Sequence, residues 1–228
     1  MILNNYMKVI NFNIFISNIS EDSNIIFLGK GPSFSLIKKI NLDNFYTVCL
    51  NHTILNVDKC DISSIIDIEN FFEAGKEIEQ KAKYLAMPFR PHVKEKDFKP
   101  TDKTILDFAK EDIYLDKMLK ENRVLTYNTN SGIMCGYKPI PQLPNNDLYI
   151  NNGDSLFGIF ARCLKRNSNR VIYSIGLDGG NSYSEEFEKF EVGGNITGVS
   201  YSQSIQKIYE FEKSYNYKMV FLQRLIKK

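Results

Sequence analysis

Short apolar runs that stop at a glycine or a polar residue constrain this chain more than any other feature of its sequence. Residues 25–28 read IIFL before Gly29, residues 46–50 read YTVCL before Asn51, and residues 62–66 read ISSII before Asp67. Similar runs stand at 83–88 (KYLAMP), at 171–177 (VIYSIGL, before Asp178) and at 218–222 (KMVFL). A short continuous apolar run without polar alternation is a strand covered on both faces, the usual condition in a parallel sheet. Between the runs lie stretches of helical character. Phe34, Ile37 and Lys38 stand at helical spacing, FFEAGKEIEQKA fills 71–82, and Ser200 with Gln203 forms a capping box ahead of Ile205, Ile208 and Phe211. Strand, loop and helix in repeated alternation place the chain in the α/β class.

The 228 residues suffice for one substantial core. The expected architecture is a single domain over 1–228, Rossmann-like, with a mostly parallel sheet flanked by helices. Six prolines (88, 91, 100, 139, 141 and 144) crowd into 88–147, and a sheet does not accommodate that many missing donors. That stretch is expected to be an insertion holding one helix, TILDFAKEDIYLDKMLKEN from Thr104, between irregular loops. Such an excursion is either a lid over a site or a surface elaboration. Beyond it, Asp154 or Ser155 is placed to cap a helix whose apolar face is Leu156, Ile159, Phe160 and Cys163.

A formal charge of +2, from 29 basic and 27 acidic residues, leaves no broad electrostatic footprint for nucleic acid. Cysteines at 49, 60, 135 and 163 form no CxxC pair, which suggests reduced thiols and a cytoplasmic protein. Asparagines interrupt the apolar residues of MILNNYMKVINFNIFISNIS, so no signal peptide is expected. No run approaches the roughly 20 apolar residues of a membrane span. The basic and apolar segment 224–228 is either a solvated helix end or a peripheral contact with the inner face of a membrane. Apolar residues around the insertion make self-association a further candidate.

In open α/β sheets, ligands sit beyond the carboxyl ends of the strands. The candidate site therefore gathers Gly29 to Ser33, Asn51, Asp67 and Asp178. Gly29 and Gly31 allow close approach of the backbone to a phosphate, and amides at the next helix start can donate to it. The loop lacks the Lys-Ser/Thr spacing of a Walker A sequence. It also fails as a dinucleotide fingerprint, because Phe34 stands at the third glycine position and Asn51 replaces the ribose-binding acid. Asn51 can both donate and accept hydrogen bonds, toward a ribose or a base edge, or it can cap a turn.

The motifs IIFLGKGPS (25–33), VCLN (48–51), IYSIGLD with GGNSY (172–183), and GVSYSQSIQKIYEFEK (198–213) occur in that order. In this the chain resembles the bacterial sialyltransferases of glycosyltransferase family 42, which modify lipooligosaccharide with CMP-activated sialic acid. The Gly153-Asp154-Ser155-Leu156 helix start is similar to a related, flagellin-associated transferase-like family. The likeness is weakest from 85 to 150. It implies that Gly29, Gly31, Ser33 and Asn51 contact the CMP group, that Gly153, Ser155 and Asp178 stand beside it, and that Tyr183 helps hold the leaving phosphate. Lys30 replaces the family's asparagine and would bring a positive charge to that phosphate. The donor would be a CMP-sugar, the acceptor a cell-surface glycan or glycolipid, and no cofactor or metal would be needed.

One departure bears on the chemistry. The position of the family's catalytic histidine holds Val199, and that of a second phosphate-contacting tyrosine holds Ile196. Valine takes no proton. His52, next to Asn51, and His92, in Arg90-Pro91-His92, are the candidate replacements for the base. Asp67-x-Glu69 is read as surface carboxylates, so no metal site is expected. Tyr127, Tyr137 and Tyr201 are candidate stacking groups for an acceptor, and Arg162 is expected to be solvated. Two rival readings stay open: a transferase using another nucleotide sugar, and a nucleotide-binding protein without catalysis.

Overall fold

The structure is a computed structural model and describes residues 9–93, 99–100, 103–129, 149–150, 170–178, 182–190, 206, 209–210, 212–213 and 217–226. In chain order the strands are β1 (Ile10–Asn11), β2 (Ile25–Leu28), β3 (Tyr46–Leu50), β4 (Cys60–Ser64), β5 (Ala82–Pro88), β6 (His92–Val93), β7 (Lys99–Pro100), β8 (Val124–Thr129), β9 (Tyr149–Ile150), β10 (Val171–Ile175) and β11 (Lys218–Phe221). The helices are α1 (Phe12–Ser17), α2 (Ile68–Lys81), α3 (Ile105–Phe108), α4 (Ile113–Lys120) and α5 (Gln223–Ile226). Single 3₁₀ segments run over Pro32–Lys39, Asn51–Asn56 and Glu185–Phe190.

The main sheet follows the order β1-β8-β5-β4-β3-β2-β10-β11, with β9 paired to β8. Its pairings are parallel throughout. The α/β class with a mostly parallel sheet and flanking helices is therefore the architecture of this chain. β6 and β7 form a separate antiparallel pair.

Why β2 is apolar at every position follows from the packing. Ile26 and Leu28 face one core, with Phe34, Ile54, Phe71, Ile78 and Met87. Ile25 and Phe27 face the other, with Phe12, Ile16, Val48, Ile62 and Tyr127. Both faces are covered, so a polar residue at any of these positions would be buried without water. Each such side chain contributes about 1.5–3 kcal/mol by leaving water.

The order of strands creates a switch point. From β2 the chain moves outward through β3, β4, β5 and β8, then returns to lay β10 and β11 on the other side of β2. The loops after β2 and β10 thus meet at one edge of the sheet, where ligands of open α/β sheets characteristically bind.

Several expectations are corrected. The stretch 88–147 is not simply an irregular insertion, because Val124–Thr129 forms β8 between β5 and β1. The single helix expected from Thr104 is two: Asp112 accepts hydrogen bonds from the amides of Tyr114 and Leu115 and starts α4 anew. The run expected at 62–66 pairs as Cys60–Ser64, because Asp67 belongs to the next helix as the N-cap of α2. Residues after Ser33 wind as a 3₁₀ segment. Tyr127 is wholly buried, with its ring 5.3 Å from that of Phe12, so it is a core side chain and not an acceptor platform. Among the described residues no helix is long and apolar enough to cross a membrane. Gly153, Ser155, Val199, Ile196, Tyr137, Tyr201, Arg162, Cys135, Cys163 and the 200–203 capping box lie outside the described residues.

Candidate functional site

At the switch point the loop after β2 is sewn to the loop after β10. The Gly29 amide donates to the Ile175 carbonyl and the Gly31 amide to the Gly176 carbonyl, each at 2.8 Å. The Ser33 amide donates to Asp178 Oδ2, and the Ser33 hydroxyl accepts from the Gly176 amide, again at 2.8 Å in each case. Asp178 Oδ1 accepts from Gln223 Nε2 at 3.1 Å, which ties α5 into the same junction.

The approach of the two loops explains the glycines. A Cβ on Gly29 would lie 2.4 Å from the Gly176 carbonyl oxygen, and one on Gly31 would lie 2.4 Å from Asp178 Oδ2. Gly176 itself has φ +73°, and a Cβ there would lie 2.0 Å from the Gly29 oxygen. The backbone approach that the sequence assigns to a phosphate is made by protein. The amides of Gly29, Gly31 and Ser33 donate to protein oxygens, and the carboxylate of Asp178 occupies the head of the 3₁₀ segment.

Lys30 lies between the two glycines and is half-buried. Its carbonyl accepts from the Ser184 amide at 2.8 Å, and its ammonium sits 4.2 Å from the centroid of the Tyr183 ring. Both contacts reach the same segment, which is further anchored by the Ser184 hydroxyl on the Glu186 carboxylate and by Phe187 packed edge-on against Phe34. Two of the residues expected at the phosphate, Lys30 and Tyr183, are thereby brought together.

Asn51 closes β3, the neighbour of β2, with φ +53°. A left-handed backbone at a non-glycine residue is uncommon, and asparagine is among the few that adopt it. Its Oδ1 accepts from Asn70 Nδ2 at 3.5 Å, a long contact, while the same nitrogen donates to Asp67 Oδ2 at 3.2 Å. Asp67 and Glu69 thus belong to the start of α2, and among the described residues no His, Cys, Asp and Glu group has the arrangement of a metal site.

His52, expected to reach an acceptor, is enclosed. It is 2% exposed, with Nε2 at 2.7 Å from Glu73 Oε2 and its ring stacked on Phe190, centroids 3.8 Å apart and planes inclined by 8°. His92 is also buried, its amide bonded to the Ile66 carbonyl. Burial pulls its pKa down to about 4, which leaves the ring neutral and weakly basic at neutral pH.

Glu73, Phe190, Gly176 and Gln223 are participants that the linear pattern does not single out. Gly176 alone carries a local signal, a glycine directly after an apolar strand. Glu73 and Phe190 have none, because their meeting with His52 depends on how α2 and the 185–190 segment pack.

No protein-family model, no curated protein and no solved structure matches this chain.

Proposed function

We propose that this chain is a glycosyltransferase that moves sialic acid or a related nonulosonic acid from a CMP-activated donor to a glycan or glycolipid acceptor. One observation carries the reading. The glycine turn at 29–31 stands at the switch point of the sheet, with Asn51 in a left-handed conformation at the end of the adjacent strand. Motif residues that resemble those of family 42 enzymes thereby fall where an α/β sheet binds a nucleotide.

The reaction breaks the bond between the sugar's anomeric carbon and a phosphate oxygen of CMP, and the bonding electrons stay on the phosphate. An acceptor hydroxyl attacks that carbon and loses its proton to a base. The protein must hold the departing charge, a task for fixed donors and cations. It must also accept the proton, and for the enclosed ring of His52 the route runs from the acceptor through the carboxylate of its partner Glu73. His52 is paired with Glu73, whose carboxylate side chain is 44% exposed, whereas burial leaves His92 a weak base. Replacing His52 with alanine would then lower turnover by about 10²- to 10⁴-fold.

The enclosure of His52 by Phe190 favours a second reading, a CMP-binding protein without transferase activity. Calorimetric titration with CMP, UDP and NAD tests the donor class, with CMP expected to bind most tightly. Hydrolysis of CMP-sialic acid then separates the readings. An enzyme consumes the donor, and a silent binder takes up CMP while leaving the donor intact. Preference for UDP or NAD would overturn the CMP assignment.

A further inference from the structure

Asn51 follows the carboxyl end of β3, next to the switch point, and its carboxamide carries an oxygen that accepts and a nitrogen that donates. Which of the two meets a ligand is decided from behind. Asn70, in the first turn of α2 and only 5% exposed, turns its Nδ2 toward both Asp67 Oδ2, at 3.2 Å, and Asn51 Oδ1, at 3.5 Å. A carboxylate only accepts, so Asp67 fixes which end of the Asn70 amide faces it. With that end fixed, a reversed Asn51 would set one NH2 group against another. The contact to Asn51 is long, and its weight lies in excluding that alternative. Oδ1 of Asn51 is thereby committed to the protein, and Nδ2, on the other branch of the carboxamide, is turned away from Asn70.

We propose that Asn70, held by Asp67, is a positioning residue that makes Asn51 a hydrogen-bond donor toward the ligand, and that this donor selects cytosine over uracil. The inference rests on the nucleotide reading above and adds the atoms that choose the base. A ribose hydroxyl both donates and accepts, so either orientation of Asn51 would serve it. A base edge is served by one orientation only. Cytosine presents O2 and N3 as neighbouring acceptors, which an NH2 group can meet. Uracil carries a hydrogen on N3, and a donor facing a donor leaves both without a partner. Asn70 and Asp67 act through Asn51.

Titration of the full chain with CMP and with UMP tests this. The two ligands differ only at the base edge, and the readout is the ratio of their affinities. The unaltered protein is expected to prefer CMP by about tenfold. Asn70→Leu keeps the size of the side chain but has no N–H, so the Asn51 carboxamide can turn over. It is expected to bring the two affinities within about twofold of each other, and retained UMP binding shows that the variant is folded. Asn51→Asp suits the left-handed backbone and still accepts from Asn70, but it has nothing to donate. It is expected to reverse the preference toward UMP, and because both ligands carry the same phosphate, the added charge cancels in the ratio. Equal affinity of the unaltered protein for CMP and UMP would overturn the inference, and so would a CMP preference that survives either substitution. Should Asn70→Leu bind neither ligand, Asn51→Asp decides by the same ratio. If the unaltered protein binds neither, the nucleotide reading fails and this inference with it, a result distinct from an unchanged ratio.

Discussion

The amide of Ser33 donates to the carboxylate of Asp178 across 2.8 Å of space and 145 residues of chain. Through this bond the loop after β2 and the loop after β10 become one structure. An Asp178→Ala variant leaves the Ser33 amide and Gln223 Nε2 without their acceptor. Urea denaturation should show a loss of about 1–3 kcal/mol, with Asp178→Asn losing less because an amide oxygen still accepts. Equal stability of Asp178→Ala and the unaltered chain would show that the junction holds without the carboxylate.

Gly176 is the least replaceable residue of the same junction. Its φ of +73° is unfavourable for any side chain, and a Cβ would stand 2.0 Å from the Gly29 carbonyl oxygen, a backbone atom with no room to yield. Gly176→Ala is expected to destabilise by about 3 kcal/mol or more, combining left-handed strain with displacement of β2's loop. Thermal unfolding checks this, and a melting temperature unchanged from the parent would contradict the geometry.

Stability should fall toward acid in part through His92. Its pKa is about 4 in the folded chain and 6.5 when exposed, with burial as the cause. Below pH 6.5 the unfolded chain gains a proton that the folded chain resists. The contribution is therefore complete above pH 6.5 and lost progressively as pH falls toward 4, reaching about 3 kcal/mol at most. His92→Gln should flatten the stability curve in this window when unfolding is followed at a series of pH values.

The contact between His52 and Glu73 can be weighed with a double-mutant cycle. The bond is short, at 2.7 Å, but the Glu73 side chain is 44% exposed, so solvent screens it. A coupling of about 0.5–1 kcal/mol is expected between His52→Ala and Glu73→Ala. Strict additivity would show that the pair adds nothing to the fold.

Arg123 offers a check on the opposite end of the sheet. Its Nη2 donates to the carbonyls of Glu79 and Ala82 at 2.6 and 2.5 Å, and its Nε to that of Lys83 at 3.1 Å, closing the last turn of α2 onto β5. Arg123→Ala is expected to cost about 2–3 kcal/mol in chemical denaturation. Arg123→Lys should recover little, because a single ammonium cannot span three carbonyls in the plane of a guanidinium.

Much of the sheet is legible in the linear pattern. IIFL, YTVCL and KYLAMP fall on β2, β3 and β5 because a strand covered on both faces must be apolar at successive positions. β8 was hidden for a physical reason. VLTYNT mixes polar and apolar residues and stands among prolines, yet Thr126 and Asn128 are buried beside Leu125 and Tyr127. β1, only two residues long, offers no periodicity to detect. At the site, Gly29, Asn51 and Asp178 could be singled out because each follows an apolar run, and Gly31 because it stands in the same turn two residues after Gly29. What each touches could not.

Local sequence determined where strands stop and where the backbone must turn sharply, since those depend on neighbouring side chains and on the sterics of glycine and asparagine. Tertiary structure alone decided that Asp178 answers Ser33, that Lys30 rests on Tyr183 and that Phe190 covers His52. Those pairings follow from the order of strands in the sheet, and strand order is a property of the whole chain that no local run of residues encodes.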